Sequence, residues 1–163
     1  MNKKAIIYLI LSIIWMSIIF SFSSQDSDES TSQSNGVGYF LAKTFVTDFD
    51  ALSLAEQTAY VESIDYPIRK CAHATEYSIL GFLIFGCMSN FFKKSIKIVY
   101  LSVAISALYA TSDEIHQLFV PGRSCQITDV LIDTAGALVG ILFHIIVSYL
   151  ITKYISRSSQ DNA

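Results

Sequence analysis

Charge is missing from long stretches of this chain, and that absence leaves few folds open. Ala5–Phe22 holds eighteen residues without a charged side chain, close to the ~20 that cross a hydrocarbon core. Asp133 is followed by nineteen uncharged residues ending at Thr152. Ile98 onward carries no charge until Asp113, and the apolar run resumes as far as Val120; Cys71–Phe92 is apolar apart from His73 and Glu76. Backbone in lipid has no water to bond and satisfies itself within a helix. These segments therefore predict an all-α polytopic membrane protein with four transmembrane helices, at about 5–22, 71–92, 98–119 and 127–151, in a single domain over residues 1–163. A second reading of the first segment is a cleaved signal peptide, with Met1-Asn2-Lys3-Lys4 as its basic start and Ser21-Phe22-Ser23 as a small-x-small site. The apolar run is longer than the ~7–15 residues usual for such a peptide, which favours a retained span.

Composition agrees with a membrane protein and excludes other classes. Charged residues make up 15%, against roughly 25% in soluble domains. Eleven Lys and Arg against fourteen Asp and Glu leave a net charge of −3, so no basic field exists to hold nucleic acid. The 52% hydrophobic content excludes a disordered chain. Three cysteines do not make a disulfide-stapled module. Cys87 reads as packing within a span; Cys71 and Cys125 map near one face, where a disulfide is chemically permitted without being required. Walker, Gly-x-Ser-x-Gly and His-Glu-x-x-His patterns are absent, so nucleotide-driven and serine-hydrolase activities have no support.

Orientation follows from the distribution of basic residues. A cytoplasmic N-terminus puts Lys3, Lys4, Lys93, Lys94, Lys97, Lys153 and Arg157 inside, and leaves Lys43, Arg69, Lys70 and Arg123 outside. The expectation is a multi-pass protein of the cell membrane with both termini cytoplasmic and an outside loop over 23–70. Within that loop Ser21–Ser34 is Ser- and acid-rich and predicts irregular chain. Two short amphipathic helices follow: Val37–Val46, with Val37, Phe40, Leu41 and Phe45 near one face, and Ser53–Ile64, where Ser53 and Glu56 form a capping-box pattern. Tyr66-Pro67 then reads as the start of the second span. Packing against the outer ends of the spans or the headgroup layer accounts for both helices; direct binding of a partner is the alternative.

Ionisable side chains inside spans are costly and tend to mark function. Here they are His73, Glu76, Asp113, Glu114, His116, Asp129, Asp133 and His144. On the expected topology all but His144 gather in the outer third of the bundle. His73 and Glu76 are three apart and share a helix face, as do Asp113 and His116. The second and third spans run antiparallel, so each histidine lies nearer the surface and each carboxylate about 4.5 Å deeper, at the helical rise. Asp129 and Asp133 add carboxylates from the fourth span. Histidine–acid pairs facing further carboxylates are how helical bundles build metal sites, and a divalent metal would neutralise the crowded acids. Three readings fit: an ionic network that fixes helix register, acid–base or metal chemistry on an envelope molecule, and recognition of a lipid-linked or peptide ligand without turnover. Gly136-x-x-x-Gly140 permits close helix contact, within the chain or between copies. His144 reads as a satisfied interior histidine.

Several of these residues form longer motifs. Phe22-Ser23-Ser24-Gln25 follows the first span, Lys70-Cys71-Ala72-His73 with Glu76-Tyr77 opens the second, and Ser112-Asp113-Glu114-Ile115-His116-Gln117-Leu118-Phe119-Val120-Pro121-Gly122-Arg123 closes the third. Together with Asp129, Asp133 and Gly136, this pattern resembles the VanZ-like family from about residue 5 to 150. The resemblance implies a small bacterial membrane protein of a family named for teicoplanin resistance, acting at the outer face of the cell envelope on envelope material or access to it. The family name does not decide between binding and catalysis.

The candidate site follows. His73, Glu76, Asp113, Glu114, His116 and Asp133 are the candidate catalytic groups, and His73, Glu76, Asp113, His116 and Asp133 the candidate ligands if a divalent metal is present. Lys70 and Arg123 would hold an anionic headgroup, with Ser23, Ser24, Gln25, Gln117 and Asp129 lining the same mouth. The expected partners are membrane lipids and a lipid-linked envelope precursor or a glycopeptide.

Overall fold

The computed structural model describes residues 2–92 and 95–160; Lys93 and Lys94, which the orientation argument uses, lie outside them. The described residues form helices and turns without a strand. The helices are α1 (Lys3–Ser23), α2 (Ser27–Phe45), α3 (Leu54–Phe91), α4 (Ile96–Gln117) and α5 (Ile127–Gln160), with one turn of 3-10 helix at Phe49–Ala51. Four of them, α1, α3, α4 and α5, are long and apolar enough to cross a membrane. Their outward faces expose Ile7, Ile10, Ile13, Tyr100, Leu108, Val139 and Phe143, a surface that suits hydrocarbon rather than water. The protein is a multi-pass membrane protein.

Two loop expectations are corrected. The Ser- and acid-rich segment is not irregular: it forms the first half of α2. Asp26 caps this helix by accepting from the Asp28 and Glu29 amides at 3.0 and 2.9 Å, and those two acids lie in the first turn, where the helix dipole favours them. The buried face of α2 is Ser34, Gly38 and Ala42, four residues apart each time, rather than the stripe from Val37 to Phe45. A Cβ on Gly38 would lie 2.8 Å from Val61 Cγ1, so the small side chains let α2 lie close along α3. Phe40 and Phe45, expected to be packed, are exposed.

The second correction concerns α3. The helix from Ser53 and the second span are one continuous element of 38 residues. The capping box at Ser53 and Glu56 is present, with the Glu56 carboxylate accepting from the Ser53 amide at 2.8 Å. Pro67 stands inside this helix instead of starting one. Its missing N–H costs the Ser63 carbonyl its helical partner, at a point where Pro67 is solvent-exposed. The turn between α2 and α3 is stapled by Gln57, which donates to the Phe49 and Leu52 carbonyls at 3.1 Å each.

The membrane bundle is organised by the seam between α3 and α5, which run parallel because α4 crosses back between them. A Cβ on Gly136 would lie 2.3 Å from the Ala74 carbonyl oxygen, and one on Gly140 only 1.7 Å from that of Ser78. The Gly136-x-x-x-Gly140 pattern thus serves contact within the chain. The central core joins Ile19 of α1, Tyr77, Leu80 and Ile84 of α3, Ala110 of α4 and Ala137 of α5. Tyr109 of α4 donates to the Met16 carbonyl of α1 at 2.7 Å. His144 sits in a box of aromatic rings from Tyr8, Phe82 and Phe85, at 5.5, 4.5 and 5.4 Å. Cys71 and Cys125 are both free thiols.

Candidate functional site

Alternation of the four spans brings the C-terminal ends of α1 and α4 to the same end of the bundle as the N-terminal part of the α3 span and the start of α5. Every ionisable span residue except His144 is found near this polar end. They do not form one cluster there. Apart from Glu76, they divide into three groups, each assembled by a different pair of elements.

The first group joins α1 to α4. Ser23 donates to Asp113 Oδ2 at 2.7 Å, Gln117 donates to Ser23 Oγ at 3.3 Å, and all three side chains are buried. Ser24 Oγ lies 3.2 Å from His116 Nε2, and the His116 ring stacks on Phe20 at 4.5 Å. His116 therefore faces α1 and does not meet His73. The second group lies on the α3–α5 seam. Lys70 pairs with Asp129, both largely buried, and His73 Nδ1 stands 3.5 Å from Asp133 Oδ1. The third is the turn into α5, where Glu114 accepts from the Gln126 amide at 2.8 Å. This carboxylate is 1% exposed and fixes the chain that follows Pro121-Gly122-Arg123. Gly122 has φ of +71°, a left-handed conformation that glycine adopts without strain.

Polar capacity is left over in this region. Asp113 Oδ1, Glu114 Oε1 and both carboxylate oxygens of Asp133 are buried without a hydrogen-bond partner. Such groups cost free energy wherever they are not satisfied. Yet among the described residues no three His, Cys, Asp or Glu side chains stand together as a metal-binding group. The five candidate metal ligands separate: His73 meets Asp133, Asp113 meets Ser23, His116 meets Ser24, and the Glu76 carboxylate accepts no hydrogen bond from a described residue.

Between the groups lies a cavity of about 200 Å³, bordered by Ser23, Gln25, Arg69, His73, Glu76, Gln117 and Arg123, and roofed by Ser30, Gln33 and Ser34 of α2. A second, of about 180 Å³, continues past Arg69, His73, Gln117 and Arg123 to Lys70 and Asp129. The α2 roof is fixed at two points: the Ser27 amide donates to the Pro121 carbonyl at 3.3 Å, and Ser34 donates to Asp65.

Cations decide what this space can accept. Lys70, expected to meet an anion, is already engaged by Asp129. Arg123 donates through Nε to the Gln25 carbonyl at 3.2 Å, and neither it nor Arg69 forms an ion pair with a described residue. Burial, and then the neighbouring Arg69 guanidinium, hold Arg123 below its ordinary pKa. Asp113, Glu114 and Glu76 offset that repulsion only from beyond ion-pairing distance, so an anion between the two guanidiniums would be favoured. Arg69 was not among the sequence candidates. Its position four residues before His73, one turn away on the same face, was the available signal. Ser30, Gln33 and Ser34 escaped because their segment reads as loop.

Four membrane-crossing helices with a polar, partly charged pocket recessed at one end define a polytopic membrane protein with a pocket opening where its charges are concentrated. The VanZ/LLP1 family model matches residues 8–148, and the chain belongs to this family. No curated protein and no solved structure matches it.

Proposed function

We propose that this protein acts at the outer face of the bacterial cell membrane and binds an anionic group of a cell-envelope molecule in the pocket at the polar end. The observation that carries the reading is the pair Arg69 and Arg123, two guanidiniums on one cavity that form no ion pair with a described residue, although the Glu76 carboxylate borders the same space. Among the described residues Lys3, Lys4, Lys97, Lys153 and Arg157 fall on segments at the opposite end, which supports the polar end as the outer one, with both termini cytoplasmic. Gln117 and Gln25 supply neutral amide groups around the same space, and His73 and Glu76 set its inner wall. Occupation of this pocket would alter access to envelope material. In that way it would affect susceptibility to glycopeptides such as teicoplanin, the property for which the family is named.

A second reading rests on His73 and Glu76. His73 is paired with Asp133, and Glu76 borders the same cavity with a carboxylate that accepts no hydrogen bond from a described residue. A histidine backed by an acid beside a free carboxylate is a general acid–base arrangement, suited to a lipid-linked or phosphorylated substrate. Two measurements separate the readings. Equilibrium binding of an anionic lipid to purified protein in detergent should fall on Arg123→Ala and be largely retained on Arg123→Lys. Lipid and cell-wall precursor profiles of cells with wild-type protein or His73→Ala should be the same if the pocket only binds, and should differ if it turns substrate over. Unchanged affinity in Arg123→Ala would sink the anion reading.

A further inference from the structure

A third space adjoins the polar pocket and has a different chemistry. It is a groove of about 630 Å³ between α1, α2 and α3, walled by Trp15, Leu41, Ile64, Pro67 and Ile79. Phe22, Val37, Ile68, Ala72 and Glu76 border both this groove and the polar cavity, so an apolar space and a charged one lie side by side on a shared wall. We propose that the groove holds the hydrocarbon chain of the ligand whose anionic group lies on Arg69 and Arg123. The ligand is then a membrane amphiphile that enters sideways from the bilayer. This inference rests on the anion-pocket reading above.

Position and chemistry support this occupant over others. On α1 the groove runs from Phe22 to Trp15, seven residues and about 10 Å into the span. On α3 it runs from Ile64 to Ile79, fifteen residues and about 22 Å. A cleft of this kind beside lipid fills with acyl chain, because water gains nothing there. Its deep end is closed by Trp15, whose indole N–H donates to the Glu76 carbonyl at 2.8 Å. The far side of the polar pocket is closed by the Ser23–Asp113–Gln117 bonds. A chain lying in the groove has the shared wall at Ala72 and Glu76 between it and the two arginines, the shortest way from the apolar space to the charged one. A helix from a second copy would fill the groove and leave the guanidiniums without a counter-charge. A free inorganic anion would satisfy the guanidiniums and leave the groove unused.

The test uses full-length protein purified in detergent and two probes sharing one phosphate chemistry: phosphatidic acid with a photoreactive diazirine in its acyl chain, and glycerol 3-phosphate. Thr75→Trp and Leu41→Trp fill the groove at residues that do not border the polar cavity. Helical circular dichroism and thermal unfolding confirm that each variant is folded, and a variant that fails is replaced by the other. Wild-type protein should bind the lipid much more tightly than glycerol 3-phosphate and crosslink to it on the α1, α2 and α3 walls. Filling the groove should weaken lipid binding by at least about tenfold and leave glycerol 3-phosphate unchanged; Arg123→Ala should weaken both. Lipid affinity unchanged in both groove variants, or crosslinks confined to the outward faces of α4 and α5, overturns the chain site while a loss in Arg123→Ala still upholds the anion pocket. No effect of Arg123→Ala on either probe removes the anion pocket, and the chain site with it.

Discussion

The α3–α5 seam changes character halfway along. Toward the end that carries His144, the two helices touch backbone to backbone through Gly136 and Gly140, and the space beside them is filled by Tyr8, Phe82 and Phe85. Toward the other end the same helices are joined by Lys70–Asp129 and His73–Asp133, with two cavities alongside and carboxylate oxygens left unsatisfied. Close van der Waals packing drives helix association in lipid, so the glycine half carries the fold. The charged half is stabilised only as far as its pairs compensate one another. Incomplete polar satisfaction inside an otherwise well-packed bundle is a mark of function rather than of folding.

Gly140→Leu is the most damaging single change this contrast predicts. A side chain there meets the Ser78 backbone, which cannot move aside, and thermal unfolding should show a loss on the order of 3 kcal/mol or more. A mild effect would mean that the seam does not depend on backbone contact. Next is Lys70→Ala, which leaves the Asp129 carboxylate buried without its partner and should cost about 3 kcal/mol. Adding Asp129→Ala should recover much of that loss; a double variant as unstable as the two single losses added together would show that the pair is not coupled. Asp113→Asn keeps an acceptor for Ser23 and should cost only about 1 kcal/mol, so a collapse on this change would assign the acid to the fold. Smallest in stability is Arg123→Ala, expected within about 0.5 kcal/mol because, among the described residues, its side chain bonds only the Gln25 carbonyl. A large stability loss there would move Arg123 from the ligand side of the comparison to the structural side.

Much of the bundle was legible because lipid imposes a simple rule. A segment that crosses must be long and free of charge, and α1, α4 and α5 announce themselves that way. The grouping of His73, Asp113, Asp129 and Asp133 near one end followed from counting crossings. Which of them touch did not, because a rotation of one helix by a single residue step sends a side chain to a different neighbour. His116 shows this: it shares a face with Asp113 as the spacing says, but that face meets Ser23, Ser24 and Phe20 of α1 rather than His73 of α3. The first half of α2 was hidden for another reason. Its helix depends on a cap at Asp26 and a stripe of small residues against α3, while average composition reports only serines and acids. Pro67 misled in the opposite direction, since proline usually opens a helix and here interrupts one that tertiary packing on both sides sustains.

The parallel course of α3 and α5 has a consequence in time. Two parallel spans need a third between them, so α4 must cross before α5 can arrive. Until it does, Lys70 and His73 have neither Asp129 nor Asp133, and Ala74 and Ser78 have no glycine to receive them. During biogenesis the polar end is thus the last part of this bundle to be neutralised, and it is neutralised by the last of these four spans. The early intermediate holds charges in or near lipid at a cost of about 2.5–3.5 kcal/mol each at the bilayer centre, less at this shallower depth. Arrival of α5 is accordingly the step that turns three inserted helices into a folded protein, and the pocket comes into being only then.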